Sequence, residues 1–373
     1  MYLKQLTLLL AGVIVGFSCS PAADSKRPDS TPLDTEKKDI PDASVNADSG
    51  TQMDSGPIND HDNDGVTVDE GDCDDYNEAV NPNAIEDLGK DGKGDQVDND
   101  CDGETDEHEA ECDVGDLDDS AKHLAFAINL CDERFLLNVE KNSSSEGGSV
   151  AYDTLKKMGD NNCLIPTQGS EMSVISTGPV GQKNPNHAIK MGGKALEENE
   201  PLPKYQGNSP SGLFVQPCCD LTQLVLSLRA PSNVKGFSFD FLFGSAEYDE
   251  WIDKGFNDTF YAIVEAASIN GGATTNVALD DNDKEISVNA SFFEDDTHSC
   301  DEAGSGWEPE IKEKSGSTGW LRSSWAIVPN EKFKLTLSIH DETDCGKDSI
   351  VFLDNFKWST IPVVPGTTPI KIE

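Results

Sequence analysis

The chain has 373 residues, with 70 acidic against 28 basic side chains, a formal net charge of −42 and ten cysteines. So acidic a surface excludes nucleic acid and charge-driven binding to anionic lipid, both of which need a basic face, and it favours cations. The length suits one large domain, or a small one beside a medium one.

At the N-terminus Lys4 precedes an apolar run from Leu6 to Phe17, too short to span a bilayer comfortably and placed where a secretory signal belongs. Residues 1–19 are therefore expected to direct export. The run ends in GFSCS, which resembles a bacterial lipobox with Cys19 as the acylated first residue of the mature protein. Gly16 stands where that box usually carries Leu, so simple cleavage nearby is the alternative. Ser20 rather than Asp after the cysteine suits routing to the outer membrane, and the expected location is the outer membrane or cell surface, lipid-anchored. In an exported chain the cysteines read as disulfides rather than thiol chemistry.

Residues 20–59 are Pro, Ser, Asp and Thr with almost no branched apolar or aromatic side chains. Such a segment buries too little surface to offset its ordering entropy and is predicted to be a disordered linker. The composition shifts at Asp60. Residues 60–111 hold 21 acidic side chains against Lys90 and Lys93, a net of −19. Asp98, Asp100, Asp102, Gly103 and Glu109 satisfy the calcium-loop pattern DxDxDG followed by five residues and Glu, with Glu104 offering a backbone carbonyl. A hard cation of calcium's size takes six to eight oxygens, alternate side chains point to one side, and glycine permits the sharp turn. A second loop places Asp60, Asp62, Asp64 and Gly65 in the same phase. Gly71 falls where its closing acid should be, so Asp69, Glu70 or Asp72 must close it. Neither loop is flanked by a helical pattern, which predicts a small loop-rich calcium-binding module rather than an EF-hand. Cys73 and Cys101 sit just inside the loops, and a bridge between them would tie the two together.

The stretches DHDNDG, GDCDDYNEAVNPNAIE and DQVDNDCDGETDE resemble the MopE-type metal-binding motif of exported bacterial proteins, myxobacterial ones among them. That family's name comes from a copper-binding surface protein, so the resemblance brings in copper. Copper prefers imidazole and sulfur, whereas the segment offers His61 and His108 among many carboxylates, and calcium is the expected cofactor.

Residues 112–373 read as a globular, β-rich domain. One helix is predicted in DDSAKHLAFAINLCDERF, opened by Asp119 or Ser120, with Leu124, Ala127, Ile128 and Cys131 at helical spacing. It is expected to pack on a sheet, stapled by Cys112 and Cys131. Short alternating runs bounded by turn residues follow. Phe237, Phe239, Phe241 and Phe243 at period two place four aromatics on one face, which a two-sheet, jelly-roll-like β-sandwich would bury. The sequences MSVISTGPVG, FLFGSAEY, FNDTF and ISVN resemble the choice-of-anchor L domain of exported bacterial proteins over roughly 150–360. The resemblance implies a fold and a surface address, and no reaction.

Glu247, Asp249, Asn257, Asp258 and Asp354 are the polar residues of this domain expected to converge. Glu247 and Asp258 could serve as an acid and base for glycan hydrolysis. The alternative, which we favour, makes Glu247, Asp258 and Asp354 turn partners or a structural metal site. No GxSxG, HExxH or glycine-rich phosphate loop is present, so an enzyme is not expected. Cys163 with Cys218 or Cys219, and Cys300 with Cys345, are the remaining disulfide candidates. Trp251, Trp307 and Trp320 could stack on sugars or belong to the core. The expected role is display of the sandwich for recognition of a glycan or surface protein, with metal sequestration by the acidic segment as the second class.

Overall fold

The computed structural model describes residues 60–108, 112, 120–143, 151–157, 164–178, 180, 218–245, 247–248, 252–254, 258–292, 294–295, 316–342 and 349–371. Cys19, the linker at 20–59, Glu109, Cys163, Asp249, Trp251, Asn257, Cys300, Trp307 and Cys345 lie outside these, as do the side chains of Cys218 and Cys219.

In chain order a helix α1 (Ser120–Ala127) is followed by the strands β1 (Leu136–Ser143), β2 (Tyr152–Leu155), β3 (Met172–Ser176), β4 (Cys218–Arg229), β5 (Gly236–Ser245), β6 (Thr259–Glu265) and β7 (Thr275–Asn276). Then come β8 (Ile286–Ser287), β9 (Glu294–Asp295), β10 (Gly316–Ser317), β11 (Leu321–Ala326), β12 (Lys332–Glu342), β13 (Ser349–Ser359) and β14 (Gly366–Pro369). One sheet runs β1-β4-β12-β6-β7 with β8 beside β6. The other runs β14-β11-β5-β13-β3-β2, with β10 pairing both β5 and β9. Neighbours pair antiparallel. The fold is the expected two-sheet β-sandwich.

The sandwich closes on the aromatic row of β5. Phe237, Phe239, Phe241 and Phe243 are all buried. Phe237 stacks on Phe333 of the opposite sheet at 5.3 Å, and Phe241 meets Phe260 there at 5.0 Å. Each such ring contributes about 1.5–3 kcal/mol by leaving water. The intervening residues face the other way, where Leu242 joins a second cluster with Met172, Val174, Trp320, Ile350 and Phe352. Trp320 is therefore a core residue and offers no platform for a sugar. Asp240 shares this outer face and takes a two-pronged ion pair from Arg322 at 2.6 and 2.8 Å.

Helix α1 presents Leu124 and Ala125 to the core, and the turn just past it adds Ile128. Its last turn is fixed to the sheets by bonds from Ser173 Oγ to the Leu124 carbonyl and from the Phe356 N–H to Ile128. The Cys112–Cys131 disulfide staples the segment. At Gly236 there is no room for a side chain, since a Cβ would lie 2.7 Å from the Trp325 carbonyl and press into Val363. That contact seats the tail that leads into the edge strand β14.

The acidic segment contains one short 3-10 turn, Val68–Glu70, and otherwise loops. It belongs to the same compact unit as the sandwich, Gly56–Glu373. Asn233 exchanges two bonds with the backbone of Ile85, the Ser232 N–H donates to Asn83, and Thr360 Oγ1 donates to Asp87.

Candidate metal centre

The two aspartate loops repeat one arrangement. In the first, the Gly65 N–H donates to Asp60, the Asp64 N–H to Asp62 and the Val66 N–H to Asp64. In the second, the Gly103 N–H donates to Asp98, the Asp102 N–H to Asp100 and the Glu104 N–H to Asp102. The fourth residue of each, Asn63 or Cys101, and the sixth, Gly65 or Gly103, adopt positive φ. These bonds curl the backbone around the carboxylates, while the second oxygen of Asp64 accepts from Asn81, that of Asp98 from the Asp102 N–H and that of Asp100 from Arg134.

In the first loop ligand oxygens of Asp60, Asp62 and Asp64 lie within 4.8 Å of one another. Of the three acids that could close it, Asp72 is the buried one, although the oxygens gathered within that distance are those of Asp60, Asp62 and Asp64. The Asp72 side chain is 4% exposed, and Asp72 Oδ2, Asp60 Oδ1 and Asp62 Oδ2 are buried with no hydrogen-bond partner. Glu70 is diverted to the Thr67 N–H and hydroxyl at 3.1 and 2.9 Å, and Asp69 is exposed on the turn. Burial pushes the Asp72 carboxyl above its ordinary range, with the Asp62 charge adding to it. Asp64 is likewise raised by burial and by Asp62, Asp72 and Asp60. No cationic side chain offsets these charges among the described residues. His61 turns to Asp75 and packs at a tilt against Tyr76, ring centroids 4.8 Å apart.

The second loop carries its own counter-charge. Arg134, just ahead of β1, donates to Asp100 at 3.0 Å and forks onto Asp132. Asp100 belongs to two groups whose ligand oxygens lie within 4.8 Å, one with Asp98 and Asp102, the other with Glu86 and Glu107. Glu86 accepts the N–H groups of Asn99, Asp100 and Asp106 and so acts as a brace. Glu107 Oε2 is buried without a partner, and burial raises its carboxyl, aided by Glu86, Asp102 and Asp100. Sequence spacing singled out neither: Glu86 joins through a tertiary contact from an earlier loop, and Glu107 lies inside the loop two residues short of the position that the pattern gives to its closing acid. Glu104 is exposed and supplies no side-chain oxygen to either group. The Cys73–Cys101 disulfide connects the loops, with Cα atoms 5.8 Å apart.

Of the five polar residues expected to converge in the sandwich, Asp249 and Asn257 lie outside the described residues, Glu247 and Asp258 share one end, and Asp354 stands apart from them. Asp258 accepts a 2.6 Å bond from Ser349 Oγ, and the Glu247 N–H donates to Ser245, the residue paired with Ser349 across β5 and β13. Both thus lie at one end of the sandwich, each nearly fully buried. Asp354 lies five residues further along β13, opposite Asp240, where Thr167 and Gln168 bond it. Periodicity in one strand does not fix which end of it faces which loop.

A β-sandwich with a loop-built acidic lobe is the class that this architecture defines. The chain belongs to the choice-of-anchor L domain family, whose match covers residues 133–357, more than half of its length. The aspartate loops precede that match. No curated protein matches the chain. Among solved structures it is similar to a complex of the module TmCBM61 with β-1,4-galactotriose, at 11% identity and a TM-score of 0.26, over 58% of this chain and 86% of that one.

Proposed function

We propose that this is an exported, calcium-binding surface protein whose acidic lobe is ordered by the ion and whose β-sandwich is displayed for recognition rather than catalysis. The observation that supports it is the inward set of buried carboxylate oxygens on Asp60, Asp62 and Asp72 without a hydrogen-bond donor. Leaving such groups unsatisfied costs several kcal/mol each in a protein interior, about what a hard cation returns. The metal groups contain only Asp and Glu, with neither imidazole nor thiolate, which favours calcium over copper. Asp60, Asp62, Asp64 and Asp72 would hold one ion. Asp98, Asp100 and Asp102 would hold a second, weaker one beside Arg134. Cys19 would carry the lipid anchor of the exported protein.

Calcium titration of the full chain, followed by hydrogen exchange across 60–108, tests the reading. Protection of that segment should rise with calcium and fall with a chelator. Tight copper retention without any calcium response would overturn it in favour of copper sequestration. Loss of membrane-fraction labelling on Cys19→Ser tests the anchor independently.

A further inference from the structure

Where the acidic lobe meets the sandwich there is a cleft of about 540 Å³, between the 63–64 and 77–79 turns on one side and the loops Ser232–Lys235 and Pro329–Asn330 on the other. Its size is that of a small-molecule site, which commonly runs from about 300 to 1,000 Å³. We propose that this cleft binds a short neutral saccharide. This deepens the recognition reading above, and it rests on that reading because the first aspartate loop forms one wall.

Asn99 lines the cleft and is 3% exposed. It spends its N–H on Glu86, its carbonyl on the Asn81 N–H and its Oδ1 on the Asp87 N–H. Its Nδ2 donates to nothing among the described residues and is not sealed from solvent. A buried amide fixed at three points therefore offers a pre-positioned donor pair to whatever enters. Acceptors flank it. Asp87 and Asp95 each use Oδ1 on nearby donors, Gly89 and Thr360 or Val97, and keep Oδ2 available. Glu78 is exposed on the rim, and Lys235 adds a donor.

A mixture of donors and acceptors suits hydroxyls, each of which both gives and takes a hydrogen bond, whereas an ammonium group only gives. With Asp64 committed to the ion, Glu78, Asp87 and Asp95 against Lys235 still repel uronates and sulfated sugars. Among the described residues no aromatic side chain lines the cleft, so selectivity would come from hydrogen bonds rather than stacking.

Calorimetric titration of the full chain in calcium with cellotriose, mannotriose and xylotriose, beside trigalacturonate and trilysine, tests this. At least one neutral trisaccharide should bind with a Kd between about 10 μM and 1 mM. Ala79→Trp, which fills the cleft without removing a hydrogen-bonding group, should weaken it by about tenfold or more, as should Glu78→Gln with Asp95→Asn. An unchanged calcium titration in Ala79→Trp shows that the lobe still folds, so the cleft and the calcium site fail separately. The proposal is overturned by any of three results: no neutral trisaccharide binds, trigalacturonate or trilysine binds more tightly, or Ala79→Trp with an intact calcium response leaves the affinity unchanged.

Discussion

Replacing Asp62 with asparagine removes one charge from the first carboxylate group and keeps its shape, since Asn retains the Oδ1 that accepts the Asp64 N–H. The ligand oxygens of Asp60, Asp62 and Asp64 lie within 4.8 Å of one another. At that spacing two like charges repel by about 3.5 kcal/mol at an effective dielectric constant of about 20, and by about 0.9 kcal/mol at that of water. Asp62 enters two of the three pairs, so its charge costs the calcium-free protein between about 2 and 7 kcal/mol before the loop relaxes. Total stabilities are only about 5–15 kcal/mol, so the effect is measurable. In the loaded protein the same charge attracts the ion, and Asp62→Asn should lower calcium affinity by about tenfold to a hundredfold. The sign of the stability change therefore reverses with calcium. Urea unfolding in chelator should place the Asp62→Asn midpoint above that of the parent, and in excess calcium below it. Equal destabilisation in both conditions would refute the reasoning, because it would mean that the loop is held by its hydrogen bonds and carries no electrostatic strain.

Asn81, fully buried, donates to Asp64 and Glu78 and accepts from Ser232 and Asn83. Asn81→Ala should cost about 2–4 kcal/mol in chemical denaturation and weaken calcium binding with it. The pair Cys73→Ser and Cys101→Ser opens a link across 28 residues, and the loss should be about 3.5 kcal/mol in the chain-entropy account, read as a lower thermal midpoint. Burial pushes the Asp354 carboxyl up to about 6, against the bonds from Gln168, Asn355 and Thr167 that hold it down. Since the folded value lies above the ordinary 3.8, this group's stabilisation is complete below about pH 4 and lost as pH rises through about 6, a change of about 3 kcal/mol. Asp354→Asn should flatten that part of the stability profile, leaving a change of the same sign from Asp64 and Asp72, whose carboxyls are also raised.

What the sequence discloses is what repeats locally. The Phe237 to Phe243 row names its buried face by alternation, and the helix shows itself through Leu124 and Ile128. The phase of the two aspartate loops is visible because a cation loop is built from consecutive residues. The rest depends on contacts that spacing does not encode. Glu70 and Asp72 are equal on paper until Thr67 captures the first and burial turns the second inward. Arg134 reaches Asp100 across 34 residues, and Glu86 meets Asp106 across 20. The sheet order β1-β4-β12-β6 joins strands from distant parts of the chain, which is why Asp354 could be placed on a strand but not beside its neighbours. Trp320 shows the same limit: its residue type fits a sugar platform and a core equally, and only the packing against Met172 and Phe352 decides.

The missing side chain at Gly236 has a consequence for how molecules of this protein behave in a crowd. By letting Val363 lie flat, it delivers β14 onto β11 through pairs such as Thr368 with Arg322, and Pro369 removes a backbone donor from the outermost strand. Any larger residue at 236 would lift that cover and bare the ladder of β11 to neighbouring copies. Self-association in solution would then betray the change before any loss of the fold itself.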